Sequence, residues 1–136
     1  MPLVRIDLRK GKPTEYREAV GQIVYESLLS ALGVPVNDRF QVITEHGSDG
    51  MIFDPSYLGI QRSEDCIFIQ ITLNAGRTIE QKQLFYKSVA EGLHHRLGLR
   101  TEDVFIGLVE VVKENWSFGN GIAQYATANL PQGAAQ

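Results

Sequence analysis

A shift of 65 positions brings the two halves of this 136-residue chain into register without a gap, pairing Leu8 with Leu73, Gly11 with Gly76, Leu32 with Leu97, Gly33 with Gly98, Asp38 with Asp103, Phe40 with Phe105 and Glu45 with Glu110. A chain that repeats itself in this way builds one supersecondary unit twice, so identifying the unit nearly fixes the fold. In the first half, Leu3, Arg5 and Asp7 face one way and Val4, Ile6 and Leu8 the other, the alternation of a half-buried strand. Ala19, Val20, Ile23, Val24, Ser27, Leu28 and Ala31 then recur at helical spacing, and Gly33 stands where a left-handed C-terminal cap is wanted. A second strand follows, opened by Asp38.

The second half repeats the pattern. The run from Cys66 to Leu73 is continuous enough to predict a strand covered on both faces, and a turn follows at Asn74 to Gly76. Thr78 and Gln81 match a capping box, the threonine oxygen accepting the N3 amide while the glutamine reaches back to the cap. The helix so started carries Phe85, Val89 and Leu93 and ends near Gly98, and Val104 to Val112 supplies the last long strand. Right-handed crossovers make the strands within each half parallel. The expected fold class is α+β, an α/β sandwich in which a tandem β-α-β repeat forms a four-stranded sheet with two helices on one face. The other sheet face is expected to be apolar and covered by sister subunits.

One domain is expected over residues 1–136, with repeat halves at about 1–46 and 66–112. A Gly-, Asp-, Pro- and Ser-rich loop runs from Gly47 to Ser63, and the tail over 126–136 has little to pack. The charge, 13 − 16 = −3, offers nothing to a phosphate backbone, so no nucleic-acid partner is expected. No apolar run approaches the roughly 18 to 20 residues that span a bilayer, and no charged-then-apolar leader opens the chain. No membrane partner and a cytoplasmic location are expected. The single cysteine, Cys66, lies among apolar neighbours and reads as an inert core thiol.

Among residues able to do chemistry, Pro2 stands out. Removal of the initiator methionine, usual before a small residue, leaves a secondary amine at the head of a buried strand. Such an amine acts as a base when neutral and as an acid or cation when protonated, and an ordinary α-amino pKa near ~7.7–8.0 is within reach of tuning. Arg77 sits between the Cys66–Leu73 strand and the Thr78 cap, where its guanidinium faces an anion near the helix N-terminus or stays a solvated loop arginine. Asp38 and Asp103 occupy equivalent repeat positions, and spacing alone does not choose between them as functional acid and turn acid. His94 and His95 are adjacent on a helix, about 100° apart, which suits a helix C-terminus and not a metal site. His46 stands alone at a loop entry. Trp116-Ser117-Phe118-Gly119 is an aromatic turn, either a pocket wall or a subunit contact. No phosphate loop, catalytic triad spacing or metal cluster is present in the sequence, and no cofactor is expected.

At four stretches the sequence resembles the tautomerase superfamily, and within it the malonate semialdehyde decarboxylase subgroup. These are Met1-Pro2-Leu3, Gly33 through Gln41, Arg77 through Lys82, and Asn115 through Gly119. The resemblance implies trimers of β-α-β repeats with sheets facing inward. It implies Pro2 as catalytic amine, Arg77 as binder of the substrate carboxylate and Asp38 as the acid set against substrate or water. Trp116 and Phe118 would make that site drier. One departure stands out: some members carry Arg-x-Arg where this chain has Ala75-Gly76-Arg77, and Asn74 or Trp116 would partly replace the missing contact. The activity implied is decarboxylation of a 3-oxo acid such as malonate semialdehyde, with hydratase activity on activated unsaturated acids. Keto-enol tautomerisation of phenylpyruvate-like acids is the enzymatic alternative, and a non-catalytic ligand-binding module is the alternative of another class.

Overall fold

The computed structural model describes residues 1–126, so all but the first residue of the tail over 126–136 lies outside the described residues. Strand β1 (Leu3–Arg9) leads into helix α1 (Thr14–Leu32) and strand β2 (Phe40–His46). After a long loop with a single 3-10 turn at Tyr57–Gly59 come β3 (Ile67–Asn74), α2 (Ile79–Leu97) and β4 (Val104–Val111). The two helices obey the 65-residue shift at both ends, and each is closed by a left-handed glycine, Gly33 at φ 68° and Gly98 at φ 70°. The capping box of α2 is formed as expected, with Gln81 N donating to Thr78 Oγ1 and Thr78 N donating to Gln81 Oε1.

β1 pairs parallel with β2 and β3 parallel with β4, while β1 and β3 join antiparallel, giving the order β2-β1-β3-β4. Arg5 lies opposite Gln70, its own partner under the repeat, so an approximate two-fold axis passes between them. The helices cross over the same axis. Ser27 Oγ meets Ser88 Oγ at 2.9 Å, and at the related point a Cβ on Gly92 would stand 2.8 Å from Ile23 Cγ2, so only glycine admits the close approach.

Between helices and sheet lies the core. Val4, Ile6 and Leu8 of β1 and Ile67, Ile69, Ile71 and Leu73 of β3 point into it against Val20, Val24, Leu28, Phe85, Val89 and Leu93. Cys66, just before β3, is buried, and desolvation pushes its thiol up to about 11, the behaviour of an inert core cysteine. Phe85 is wholly buried, and Phe85→Ala is expected to cost about 3–5 kcal/mol, read as a lower denaturant midpoint at unchanged slope.

The second sheet face corrects two expectations. Strict alternation sends every isoleucine of β3 inward and leaves Phe68, Gln70 and Thr72 on the far side, so β3 is covered on one face only within the chain. That face is also not uniformly apolar. Phe40, Val42, Phe105 and Val109 are exposed toward its edges, while Arg5, Asp7 and Gln70 occupy the two central strands.

Candidate active site

β1 begins at Leu3, so the buried Pro2 delivers the chain into the sheet. Parallel pairing sets Leu3 beside Phe40 and thereby brings the chain start against the connection from α1 to β2. There the Met1 ammonium lies 3.5 Å from the Asp38 carboxylate, both largely buried. Burial pushes this ammonium below the ordinary range of a terminal amine; the Asp38 carboxylate opposes the shift, while Arg77 and Lys113 add to it. The Pro2 nitrogen, here in a peptide bond with Met1, is one residue further in, and successive Cα atoms are only about 3.8 Å apart.

Asp38 lies in a turn before β2, which starts at Phe40 and not at the aspartate. Its neighbours fix it. Asn37 takes a left-handed φ of 71° and donates its N–H to the Tyr25 hydroxyl of α1, while the Arg39 guanidinium stacks 4.8 Å from the same ring and bonds Gln22 and Gln41. Asp103, the repeat partner, has another task. It is fully buried, and its two oxygens accept the Ser63 N–H and hydroxyl at 2.6 Å each, closing the long loop onto the sheet. Asp103 is therefore the turn acid.

Arg77 stands in the β3–α2 connection as expected, but its guanidinium turns away from the N-terminus of α2. Nε and Nη2 donate to Leu32 O at 3.3 and 3.2 Å, and Nη1 donates to Asn74 O at 3.2 Å. Leu32 ends α1, so its carbonyl is one that the helix cannot satisfy, and the negative end of the helix dipole favours a cation there. Three of five N–H groups are engaged, which leaves one hydrogen on each terminal nitrogen for a carboxylate. Burial lowers the guanidinium's pKa, with Glu110, Asp38 and Tyr125 opposing, and the group stays charged.

An aromatic wall closes the site. Asn74, buried at the end of β3, accepts the Trp116 indole N–H on Oδ1 at 2.8 Å. Trp116 stacks on Phe118 with centroids 5.5 Å apart, and Phe118 meets Tyr125 edge-on at 5.0 Å. Trp116, Ser117 and Phe118 with Met1, Pro2, Leu3 and Phe40 enclose a pocket of about 210 Å³. A buried terminal amine, a carboxylate, an anchored arginine and a mostly apolar pocket thus meet at one end of the sheet.

Two family models, both described as tautomerase enzyme, match residues 2–61 and 38–119. The chain belongs to the tautomerase family. It is 41% identical to the probable tautomerase YusQ of Bacillus subtilis (strain 168), over 91% of this chain and 98% of that protein. It is 33% identical to the probable tautomerase YrdN of the same organism, over 96% and 100%. A solved structure of FG41 malonate semialdehyde decarboxylase inhibited by 3-bromopropiolate superposes with a TM-score of 0.84 at 40% identity, covering 90% of this chain and 93% of that one. A second malonate semialdehyde decarboxylase, described with decarboxylase and hydratase activities, gives 0.84 at 31% identity, covering 90% and 95%. A fused 4-OT described as a symmetric trimer shares the fold at 18% identity and a TM-score of 0.73, covering 88% and 94%.

In this tautomerase-family chain, Pro2, Asp38, Arg77, Asn74, Trp116 and Phe118 converge as a set. The sequence reading missed Phe40 and Lys113. Phe40 was open to discovery, since parallel pairing sets the first residues of β1 and β2 side by side; Lys113 follows β4 and becomes a neighbour of the amine only when the sheet is assembled. His46 is not alone at a loop entry: it closes β2, with Nε2 2.6 Å from Asp7 Oδ1. His94 Nδ1 lies 3.0 Å from Leu99 O beyond the end of α2, a local C-terminal contact. Among the described residues no helix is long and apolar enough to cross a membrane.

Proposed function

We propose that this chain is a cofactor-independent decarboxylase of malonate semialdehyde or a related 3-oxo acid. In this reading it also hydrates activated unsaturated acids and works as a cytoplasmic homotrimer whose outer sheet faces meet. The observation that carries the reading is the meeting of the buried amine, Asp38 and Arg77 beside an apolar pocket, in a chain 40% identical to a malonate semialdehyde decarboxylase. Loss of Met1 turns Pro2 into a secondary amine one residue deeper in the site. Arg77 holds the substrate carboxylate, and protonated Pro2 donates a hydrogen bond to the 3-oxo oxygen. The bond between C2 and the carboxylate carbon then breaks, carbon dioxide leaves, and the electron pair passes through C2 onto that oxygen as an enolate. Protonation at C2 gives the aldehyde. The donor is worth most where charge develops, in a site that Trp116 and Phe118 keep dry, whereas tighter ground-state binding by Arg77 alone does not speed the step. Asp38 holds the amine protonated and orients it.

The sign of the pH dependence follows. A reaction that needs the protonated amine is fastest below the amine's pKa and falls as pH rises through it; burial lowers the Met1 ammonium, and a Pro2 amine one residue deeper is expected to shift in the same direction. Acetaldehyde formation from malonate semialdehyde, followed by proton NMR against the spontaneous rate, is expected to decline with rising pH. A rate that climbs instead would sink the proton-donor role. The relatives called probable tautomerases favour a second reading, phenylpyruvate-type keto-enol tautomerisation by neutral Pro2. Its rate rises over the same pH window, so the two profiles separate the readings, and absence of both activities in protein free of Met1 leaves the non-catalytic binding module.

A further inference from the structure

The approximate two-fold axis relates the Pro2 pocket to a second cavity. Leu3, Phe40, Ser117 and Phe118 of the first map, by the 65-residue shift, onto Phe68, Phe105, Ile52 and Phe53, and all four line a pocket of about 250 Å³ on the other side of the axis. The polar residues follow the same operation. Asn74 maps onto Arg9 and Arg77 onto Lys12, and both cations line an adjoining cavity of about 220 Å³ with Leu8, Tyr16 and Ile67. Even the tether is kept: where Trp116 Nε1 donates to Asn74, Arg9 Nη2 donates to the carbonyl of Met51, the repeat partner of Trp116. The Arg9 guanidinium also stacks 5.4 Å from the Phe53 ring and so joins the polar cavity to the apolar one.

We propose that this second pocket is a binding site for a small carboxylate with a flat apolar body, held and not turned over. Arg9 supplies the decisive observation. Its Nη2 bonds Met51 O and its partnerless Nε is buried, which leaves Nη1, facing Glu64 Oε1 at 3.7 Å, as the nitrogen that a carboxylate can take. Lys12 supplies a second cation beside it. Their acidic neighbours are displaceable: Asp65 meets Lys12 at 3.1 Å and Glu64 meets Arg9 at 3.7 Å, but Glu64 is 91% and Asp65 53% exposed, and such surface pairs contribute little. Phe53, Phe68 and Phe105 pack edge to face around the apolar part; Phe68 and Phe105 lie on the sheet face that meets its sisters in the proposed trimer, so these rings offer walls to a flat ligand at a subunit boundary.

Turnover is not expected there, because the counterparts of Pro2 and Asp38 are both unavailable. Ile67 replaces Pro2 and lies inside the chain at the start of β3, so its nitrogen is a peptide amide in any processed form. Asp103 replaces Asp38, and both its oxygens are occupied by Ser63. A cation pair and an aromatic wall remain, without a chain-terminal amine and without a free counterpart of Asp38.

The test uses 4-bromobenzoate with the full-length protein. Calorimetry is expected to give two sites per chain, and crystals soaked with it an anomalous bromine peak in each pocket. Arg9→Gln is expected to weaken the second site at least tenfold and leave acetaldehyde formation unchanged. Lys12→Met, at a more exposed position, is expected to weaken it less and guards against a folding defect in the first variant. A bromine peak confined to the Pro2 pocket, or two unaltered sites in both variants, would overturn the proposal. Because occupancy of each pocket is read separately from turnover, failure at the Pro2 pocket counts against the proposed reaction and not against the second site.

Discussion

Protein that keeps Met1 is expected to be inert toward malonate semialdehyde, and Pro2→Ala in processed protein to lose about 10²- to 10⁴-fold in kcat, the usual range for a positioned acid or base. The physical reason for the first effect is double. Met1 ties the Pro2 nitrogen into an amide, and Met1 itself lines the pocket that the substrate would fill. Its primary amine reaches Asp38 but stands one residue too far out. Pro2→Ala keeps a terminal amine yet makes it primary and gives up the ring that blocks rotation about N–Cα, so the nitrogen loses its orientation. Intact mass gives the processed fraction, and activity is expected to scale linearly with it. Full activity in a sample that is wholly unprocessed would rule out Pro2 as the reacting amine.

The second large effect is expected at Arg77. Arg77→Ala is predicted to reduce kcat/KM by about 10²- to 10³-fold, the range seen when one oriented donor is removed from a reacting anion. Because Arg77 also ties the last carbonyl of α1 to the end of β3, the same change is expected to lower the melting temperature. Arg77→Lys separates the two roles: it restores the charge without the planar fork, so it is expected to recover part of the binding and little of the bracing between Leu32 and Asn74. Wild-type kcat/KM in Arg77→Ala would remove this residue from the site. Ala75 sharpens the expectation, since no second arginine precedes Arg77 to share the carboxylate.

Much of this molecule was legible in the chain itself. The 65-residue repeat, the alternation in β1, the helical stripe ending at Gly33 and Gly98, and the Thr78–Gln81 capping box all depend on residues a few positions apart, where sterics and local hydrogen bonding act without help from the rest of the fold. The repeat also carried the parallel pairing within each half, because a short crossover helix allows no other. Pro2 and Arg77 were visible as candidates for the same reason, one by its place in the chain and one by its place before a cap.

Tertiary structure decided what distant residues do to one another. Only antiparallel docking of β1 on β3 puts Arg5 opposite Gln70 and creates the axis that relates the two pockets. Docking also gave Arg77 the C-terminus of α1 in place of the N-terminus of α2, because the unpaired Leu32 carbonyl is nearby in space and 45 residues away in sequence. It divided the twins Asp38 and Asp103, which the repeat makes equivalent. Ser63 holds one in the core while the other is left beside a buried amine. Short-range chemistry fixes what each segment becomes, but the energy of a buried charge depends on its whole surroundings, and those exist only after the sheet has closed.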